Sequence, residues 1–347
     1  MYGQLELTRR CPLDCIHCYV DHHDTEGELD TEQWKSVMAG LADMGVLSLV
    51  LTGGDPLVRP DFEELVTAAA RTYGFAVSVY SSWWNATEKT FDLLADVHIR
   101  EAAFSLYGDN PDTHDAVTRR PGSFVKTMDA ISMAQQRGIR VHPKFIMTAG
   151  NATELGGFFR FVDTLRHIRQ PVVDFQLTPS QSPLRNPMEL RASLSQLEDV
   201  FSDDYVRTRT FPFGLKSDAQ AIDDGQLTEL SPEQSAVSVG TVPCLIGIML
   251  MSVAADGLAY PCASWPVPLG NVKEHDIAWL WRESPEIQRV RSITKSDLLS
   301  CGICDAREEC QHCMATSLTA HGDYRVCNDN SRLFATLMQR LKQRYGA

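Results

Sequence analysis

The segment QLELTRRCPLDCIHC, residues 4–18, decides the fold. Gln4–Thr8 is a candidate for the first β-strand. Three cysteines follow directly, Cys11, Cys15 and Cys18, with gaps of three and two residues. A loop this short can wrap three thiolates around one corner of a four-iron four-sulfur cubane, leaving one iron open to a small molecule. The alternative is zinc, which takes four N or S ligands and would need His17 or a distant residue as the fourth.

Outward from this segment, short apolar runs alternate with amphipathic stretches, the pattern of repeated β-α units in a parallel sheet. Strands are expected at Gln4–Thr8, Leu47–Thr52, Ala76–Tyr80, Ala102–Leu106, Arg140–Met147 and Val172–Leu177. Helices are expected at Thr31–Met44, Asp61–Tyr73, Glu88–Leu94, Ser123–Arg137, Glu154–Ile168 and Met188–Phe201. The fold class is therefore α/β, a partial (β/α)6 TIM-type barrel. Chemistry in such folds sits at the C-terminal strand ends, and Cys11, Gly53, Ser81 and Tyr107 all follow strands. From 203 to about 240 the pattern is lost in favour of Asp, Gln, Ser and Thr, which suggests a connector or substrate-covering segment. Ile248–Val253 and Leu258–Pro261 flank Ala255-Asp256-Gly257, a hairpin signal. Ser331–Tyr345 has the spacing of a closing helix.

With 347 residues, 44% of them hydrophobic, two units with a sizeable core are expected. No apolar run approaches the roughly 18–20 residues that span a bilayer. The first residues lack the features of a signal peptide, so a cytoplasmic location is expected. A net charge of −13 argues against nucleic acid or an anionic membrane as partner. Three of the ten cysteines crowd into residues 11–18 and seven lie between Cys244 and Cys327. Such clusters in a cytosolic chain bind metal more often than they form disulfides.

The C-x3-C-x2-C spacing resembles the signature of the radical S-adenosylmethionine (SAM) superfamily, with His17 where an aromatic residue usually precedes the last cysteine. Later motifs follow the family order. Gly53-Gly54-Asp55-Pro56 resembles the glycine-rich motif that binds the cofactor's amino group, with Asp55 where Glu is usual. Ser81 and Ser82 fall where the family often has Thr-Asn near the ribose. Ser105 matches a fourth-strand serine that contacts the cofactor, and Arg120 lies in a segment whose arginine can meet the methionine carboxylate. For Ser81, Ser82 and Arg120, loop polarity or helix capping is the competing reading, as rim packing is for Trp83 and Trp84 beside a substrate entrance. The resemblance thus implies SAM contacts at His17, Gly53, Gly54, Asp55, Ser81, Ser82, Ser105 and Arg120.

Cys244, Cys262, Cys301, Cys304, Cys310, Cys313 and Cys327 resemble a SPASM domain, which usually carries two auxiliary four-iron four-sulfur clusters. The gap between Cys310 and Cys313 is two where three is usual. By analogy, Cys301, Cys304, Cys310 and Cys327 would hold the outer cluster, and Cys244, Cys262 and Cys313 the inner one, leaving it one ligand short. That position could take a non-cysteine residue, water or a substrate thiolate. The implied organisation is a barrel over 1–202, a connector over 203–243, SPASM over 244–330 and a helix over 331–347. The implied cofactors are three four-iron four-sulfur clusters and SAM, with an electron donor such as flavodoxin or ferredoxin. The implied activity is oxidative modification of a ribosomally made peptide by a thioether, C–C or ether cross-link, with no catalytic base readable. All ten cysteines have a cluster assignment, so none is spare for radical epimerisation. Because the chain begins at the first strand, capture of the peptide is expected to use a separate leader-binding protein, the 203–240 segment or the barrel mouth. The alternatives are a dehydrogenase acting on a sulfatase Ser or Cys or on a sugar alcohol, and a non-catalytic zinc-binding interaction protein.

Overall fold

The computed structural model describes residues 2–22, 25–175, 177–179, 186–211, 243–298, 301, 304–307 and 309–346. Six strands form a parallel run: β1 (Tyr2–Glu6), β2 (Ser48–Thr52), β3 (Ala76–Tyr80), β4 (Glu101–Ser105), β5 (Val141–Ile146) and β6 (Val172–Asp174). Each expected strand is present, Ala76–Tyr80 with the expected bounds and the others with an end displaced by up to three residues; Val172–Leu177 stops at Asp174. A further strand, β7 (Leu250–Val253), pairs in parallel with the free side of β1. β8 (Leu258–Tyr260) and β9 (Gly270–Asn271) then continue the same sheet antiparallel. Gly257 turns the β7–β8 hairpin at a φ of +91°, a conformation L side chains rarely adopt.

Alternation along the strands separates the two faces of the sheet. Leu5, Leu49, Leu51, Val77, Val79, Phe104 and Phe145 are buried beneath the helices. Gln4, Tyr80, Ser105, Lys144 and Ile146 face the barrel interior, where they line a cavity.

The first helix, α1 (Thr31–Asp43), buries Trp34, Val37, Met38 and Leu41 at helical spacing. Its start carries a capping box, in which Asp30 accepts from the Gln33 N–H and Gln33 accepts from the Asp30 N–H, worth about 1 kcal/mol. α2 (Phe62–Thr67) runs into a π-helical turn at Ala68–Thr72, and α3 (Glu88–Asp96) follows. α4 (Pro111–Thr118) was not anticipated from the sequence, although Asn110 caps it and Pro111 opens it. α5 (Ser123–Gln136) matches its expectation, whereas α6 (Leu155–Val162) is shorter than Glu154–Ile168. The reason is tertiary: Ile168 bridges in parallel to Val141, so the chain must leave the helix first.

Met188–Phe201 divides into a 3-10 turn at Pro187–Leu190 and α7 (Leu194–Ser202). Within the expected patternless connector, Asp204–Thr210 forms α8, capped by Asp203 and anchored by buried Val206. Residues 212–242, the remainder of that expectation, lie outside the described residues. The C-terminal part adds α9 (Ile277–Arg282), α10 (Pro285–Arg291), α11 (Met314–His321) and α12 (Asp329–Tyr345). No helix among the described residues is long and apolar enough to cross a membrane.

Near the N-terminal strand ends the barrel floor is charged. Glu101 is 1% exposed and its Oε1 accepts from Arg169 Nη1 at 2.7 Å and from Ser78 Oγ at 3.2 Å. Burial pushes the Glu101 carboxyl up, but adjacent His142 and Arg169 outweigh it and bring it down to about 2. A carboxyl held below its unfolded value adds stability above that value and loses it as pH falls through the folded one. Stability measured by denaturant titration should therefore decline between about pH 4.5 and pH 2, by on the order of 2 kcal/mol from this group, discounted because Arg169 is half-exposed. Glu101→Gln should flatten that part of the curve; an unchanged slope would place the acid sensitivity elsewhere.

Candidate active site

A cavity of about 380 Å³ opens at the C-terminal strand ends. Cys11, Cys15, His17, Cys18, Gly53, Gly54, Ser81, Ser82 and Ser105 all line it. Residues separated by nearly a hundred positions thus meet because every one follows, or ends, a parallel strand. Asp55 and Arg120 do not line it.

The second-strand turn is stitched to the cysteine loop through backbone. The Gly54 N–H donates to Thr8 O at 2.7 Å and the Asp55 N–H to Arg10 O at 2.8 Å. Asp55 is fully buried and occupied within the chain. Its Oδ1 accepts from Ser81 Oγ at 2.8 Å and the Leu57 N–H at 2.9 Å, and its Oδ2 accepts from the Ser82 N–H at 3.2 Å and from Ser82 Oγ. Burial raises this carboxyl, and the four donors oppose the rise. Asp55 therefore clamps the third-strand loop to the glycine turn, and the ammonium-facing role expected of it has no geometry here. Arg120 is exposed and stacks over the Trp84 ring at 4.6 Å, outside the cavity. Trp83 is core: it stacks on Phe91 and Phe104, and its Nε1 donates to Ala103 O at 2.7 Å.

Several lining residues escaped the sequence reading. The Tyr19 hydroxyl donates to buried Glu6 at 2.7 Å. His22 Nδ1 donates to Arg9 O at 2.7 Å, and its Nε2 stands 3.2 Å from Cys18 Sγ. Tyr107 lies against His17, with ring centroids 5.0 Å apart. Tyr19 and His22 belong to no spaced motif, so no local signal marked them; Tyr107 is expected at this mouth because it follows β4.

The thiol chemistry suits iron–sulfur ligation. Burial pushes Cys11 up to about 12 and Cys18 to about 11, and raises Cys15 further, with Cys11 and Cys18 adding to the effect at Cys15. Buried thiols without a cation are costly to ionise, and metal ligation relieves that cost. Beside them His17 is held neutral by burial, down to about 4, and its buried Nε2 has no hydrogen-bond partner among the described residues. A ligand nitrogen or oxygen would satisfy it. The later thiols fall into two electrostatic groups. Cys301 and Cys310 each feel Cys304 and Cys327, while Cys262 feels Cys244 and Cys313. All ten cysteines are free thiols. Among the described residues no three His, Cys, Asp or Glu side chains close around a single ion; a cubane spaces its ligands more widely than one zinc ion, whose Zn–S bonds are about 2.3 Å.

The family model of the Radical SAM superfamily matches residues 5–154, and that of the SPASM iron–sulfur cluster-binding domain matches residues 244–314. The chain carries a radical SAM domain followed by a SPASM domain. Similar proteins include an AdoMet-dependent heme synthase of Methanosarcina barkeri, 26% identical over 331 residues, covering 92% of this chain and 92% of that protein. A PqqA peptide cyclase of Rhizobium meliloti is 28% identical over 287 residues, covering 80% of this chain and 72% of that protein. The structure of native anSMEcpe with bound AdoMet and Kp18Cys peptide superposes with a TM-score of 0.71 at 15% identity, over 99% of this chain and 97% of that one. It shares the fold. Radical SAM enzymes are catalytic, and the two domains imply iron–sulfur clusters and SAM.

The SPASM domain is joined to the barrel by the β1–β7 pairing. Its segment Ala263-Ser264, directly after Cys262, closes one side of the radical SAM cavity. Burial and the carboxylate of Glu6 raise the Tyr19 hydroxyl, and Cys18 and Cys262 both add to the rise.

Proposed function

We propose that this chain is an oxidative radical SAM enzyme that forms a cross-link in a ribosomally made peptide. The observation that carries the proposal is the shared chamber: the Cys11–Cys18 loop and the flank of Cys262 line one cavity. Cys11, Cys15 and Cys18 would hold the SAM-binding cluster. Cys244, Cys262 and Cys313 would hold an inner auxiliary cluster, and Cys301, Cys304, Cys310 and Cys327 an outer one. With SAM, such a centre supplies hydrogen abstraction from unactivated carbon. The chain's part is to place and isolate that event. Gly53 and Gly54 let backbone approach the cofactor closely, Ser81 and Ser82 are pinned by Asp55 at its edge, and Ser105 ends the neighbouring strand β4 in the same cavity. An acceptor site beside the same chamber suits a net two-electron oxidation, in which the substrate gives up two hydrogens.

A peptide substrate is supported by the peptide cyclase relative and by the peptide bound in the similar structure. A second reading, oxidation of a small non-peptide molecule, is supported by the heme synthase, whose match runs over more of both chains. One experiment separates them. Reduced, reconstituted protein with SAM and the peptide encoded beside its gene should yield 5′-deoxyadenosine and a peptide lighter by about 2 Da. An unmodified peptide, with oxidation of a supplied small molecule instead, would select the second reading.

A further inference from the structure

One Lys or Arg stands among the described residues lining the cavity, Lys144, and no cofactor assignment above uses it. It leaves β5 directly opposite Ser105 of β4. Its Nζ lies 4.2 Å from the centroid of the Tyr80 ring at the end of β3, so the side chain reaches across β4 into the barrel. Lys144 has no ion pair among the described residues. Of the acids that influence it, Asp174 has an interaction of its own, and Glu101 is held by Arg169 at 2.7 Å. An aromatic face steadies a cation but does not replace a counter-ion. Burial lowers this ammonium, a cost that an incoming anion would offset.

The cavity also has two sides. The glycine turn, Ser81 and Ser82 belong to the β2–β3 side, where the cofactor's polar groups are provided for. Lys144 shares the β5–β6 side with Asp174, Leu177 and Thr178. We propose that Lys144 is the anion-binding residue of the substrate site, and that the substrate presents a carboxylate to it, as an acidic side chain or C-terminus of the peptide. The proposal rests on the peptide reading above and names the substrate's chemistry.

Trace acetylation of the reconstituted full-length wild-type protein tests it, with acetylation at Lys144 read by peptide mass spectrometry. N-acetylglutamate N-methylamide stands for the side chain, N-acetylglycylglycine for the C-terminus, and N-acetylglutamine N-methylamide is the uncharged control. One acid should slow labelling of Lys144 roughly tenfold at ten times its dissociation constant, and the control should not. Which acid protects identifies the source of the carboxylate. Equal protection by the control, protection by neither acid, or full protection by SAM alone would overturn the proposal, the last by assigning Lys144 to the cofactor. Because labelling needs no turnover, failure of the peptide reading shows separately, as an unmodified peptide beside a protected Lys144.

Discussion

Replacing Cys11, Cys15 and Cys18 together with alanine should lower the iron of anaerobically reconstituted protein from about twelve to about eight atoms per chain and abolish SAM cleavage. The three thiols line the cavity and belong to one loop after β1. The seven later cysteines sit in the SPASM part and in separate electrostatic groups. Removing the loop thiols should therefore leave the auxiliary sites filled. The loss is expected to be complete rather than graded, because no other thiol of the described chain lines the cavity. Iron and sulfide analysis with absorption spectroscopy reads the first effect, and chromatographic measurement of 5′-deoxyadenosine reads the second. Unchanged iron would refute the assignment of the loop as a cluster site. A colourless, zinc-loaded wild-type protein would refute the wider iron–sulfur assignment.

Gly54→Ala should be among the most damaging single substitutions outside the cysteines. A Cβ there would lie 2.4 Å from Arg9 O and 2.5 Å from Arg10 O, both backbone atoms of the cysteine loop. Neither can rotate away as a side-chain tip would, so the loop or the turn must move. Either movement breaks the Gly54–Thr8 and Asp55–Arg10 hydrogen bonds and disturbs the Asp55 clamp on Ser81 and Ser82. The expected cost is about 3 kcal/mol or more, from strain and unsatisfied buried groups. Denaturant unfolding of the metal-free protein measures it, and SAM affinity of the reconstituted variant should fall as well. Gly74→Ala is the control. It has a φ of +71° and nothing within 4 Å of the added Cβ, so it should cost only about 1 kcal/mol and leave SAM binding intact. Equal costs at the two positions would show that the close approach at Gly54 does not matter.

Local pattern carried much of this protein. Short apolar runs marked the six parallel strands, and in the first five the residues beneath the helices, such as Leu5, Leu49, Val79, Phe104 and Phe145, are buried and apolar. The spacing of Cys11, Cys15 and Cys18 placed a loop at the right end of β1, and the spacing of the later cysteines marked a second metal-type region. Gly257 announced its hairpin because a left-handed φ leaves few alternatives. Helix ends were less legible: α6 stops early because Ile168 is needed beside Val141, a contact that no local propensity encodes.

Function at the level of individual side chains depended on contacts between distant segments. Asp55 read as a ligand-facing carboxylate, yet Ser81 and Ser82, some 26 residues on, consume it. Arg120 read as a cofactor contact, yet Trp84 draws it to the surface. Lys144 belongs to none of the motifs in the sequence, and its meaning comes from Tyr80 and the cavity across two strands. The sequence by itself determined which residues can ligate iron and where the strands lie, because spacing and alternation are short-range properties of the chain. Only the tertiary structure decided that β7 docks on β1 and brings the flank of Cys262 to the Cys11–Cys18 cavity. Strand pairing across some 245 residues is set by the matching of whole sheet edges, a long-range fit that no local pattern records.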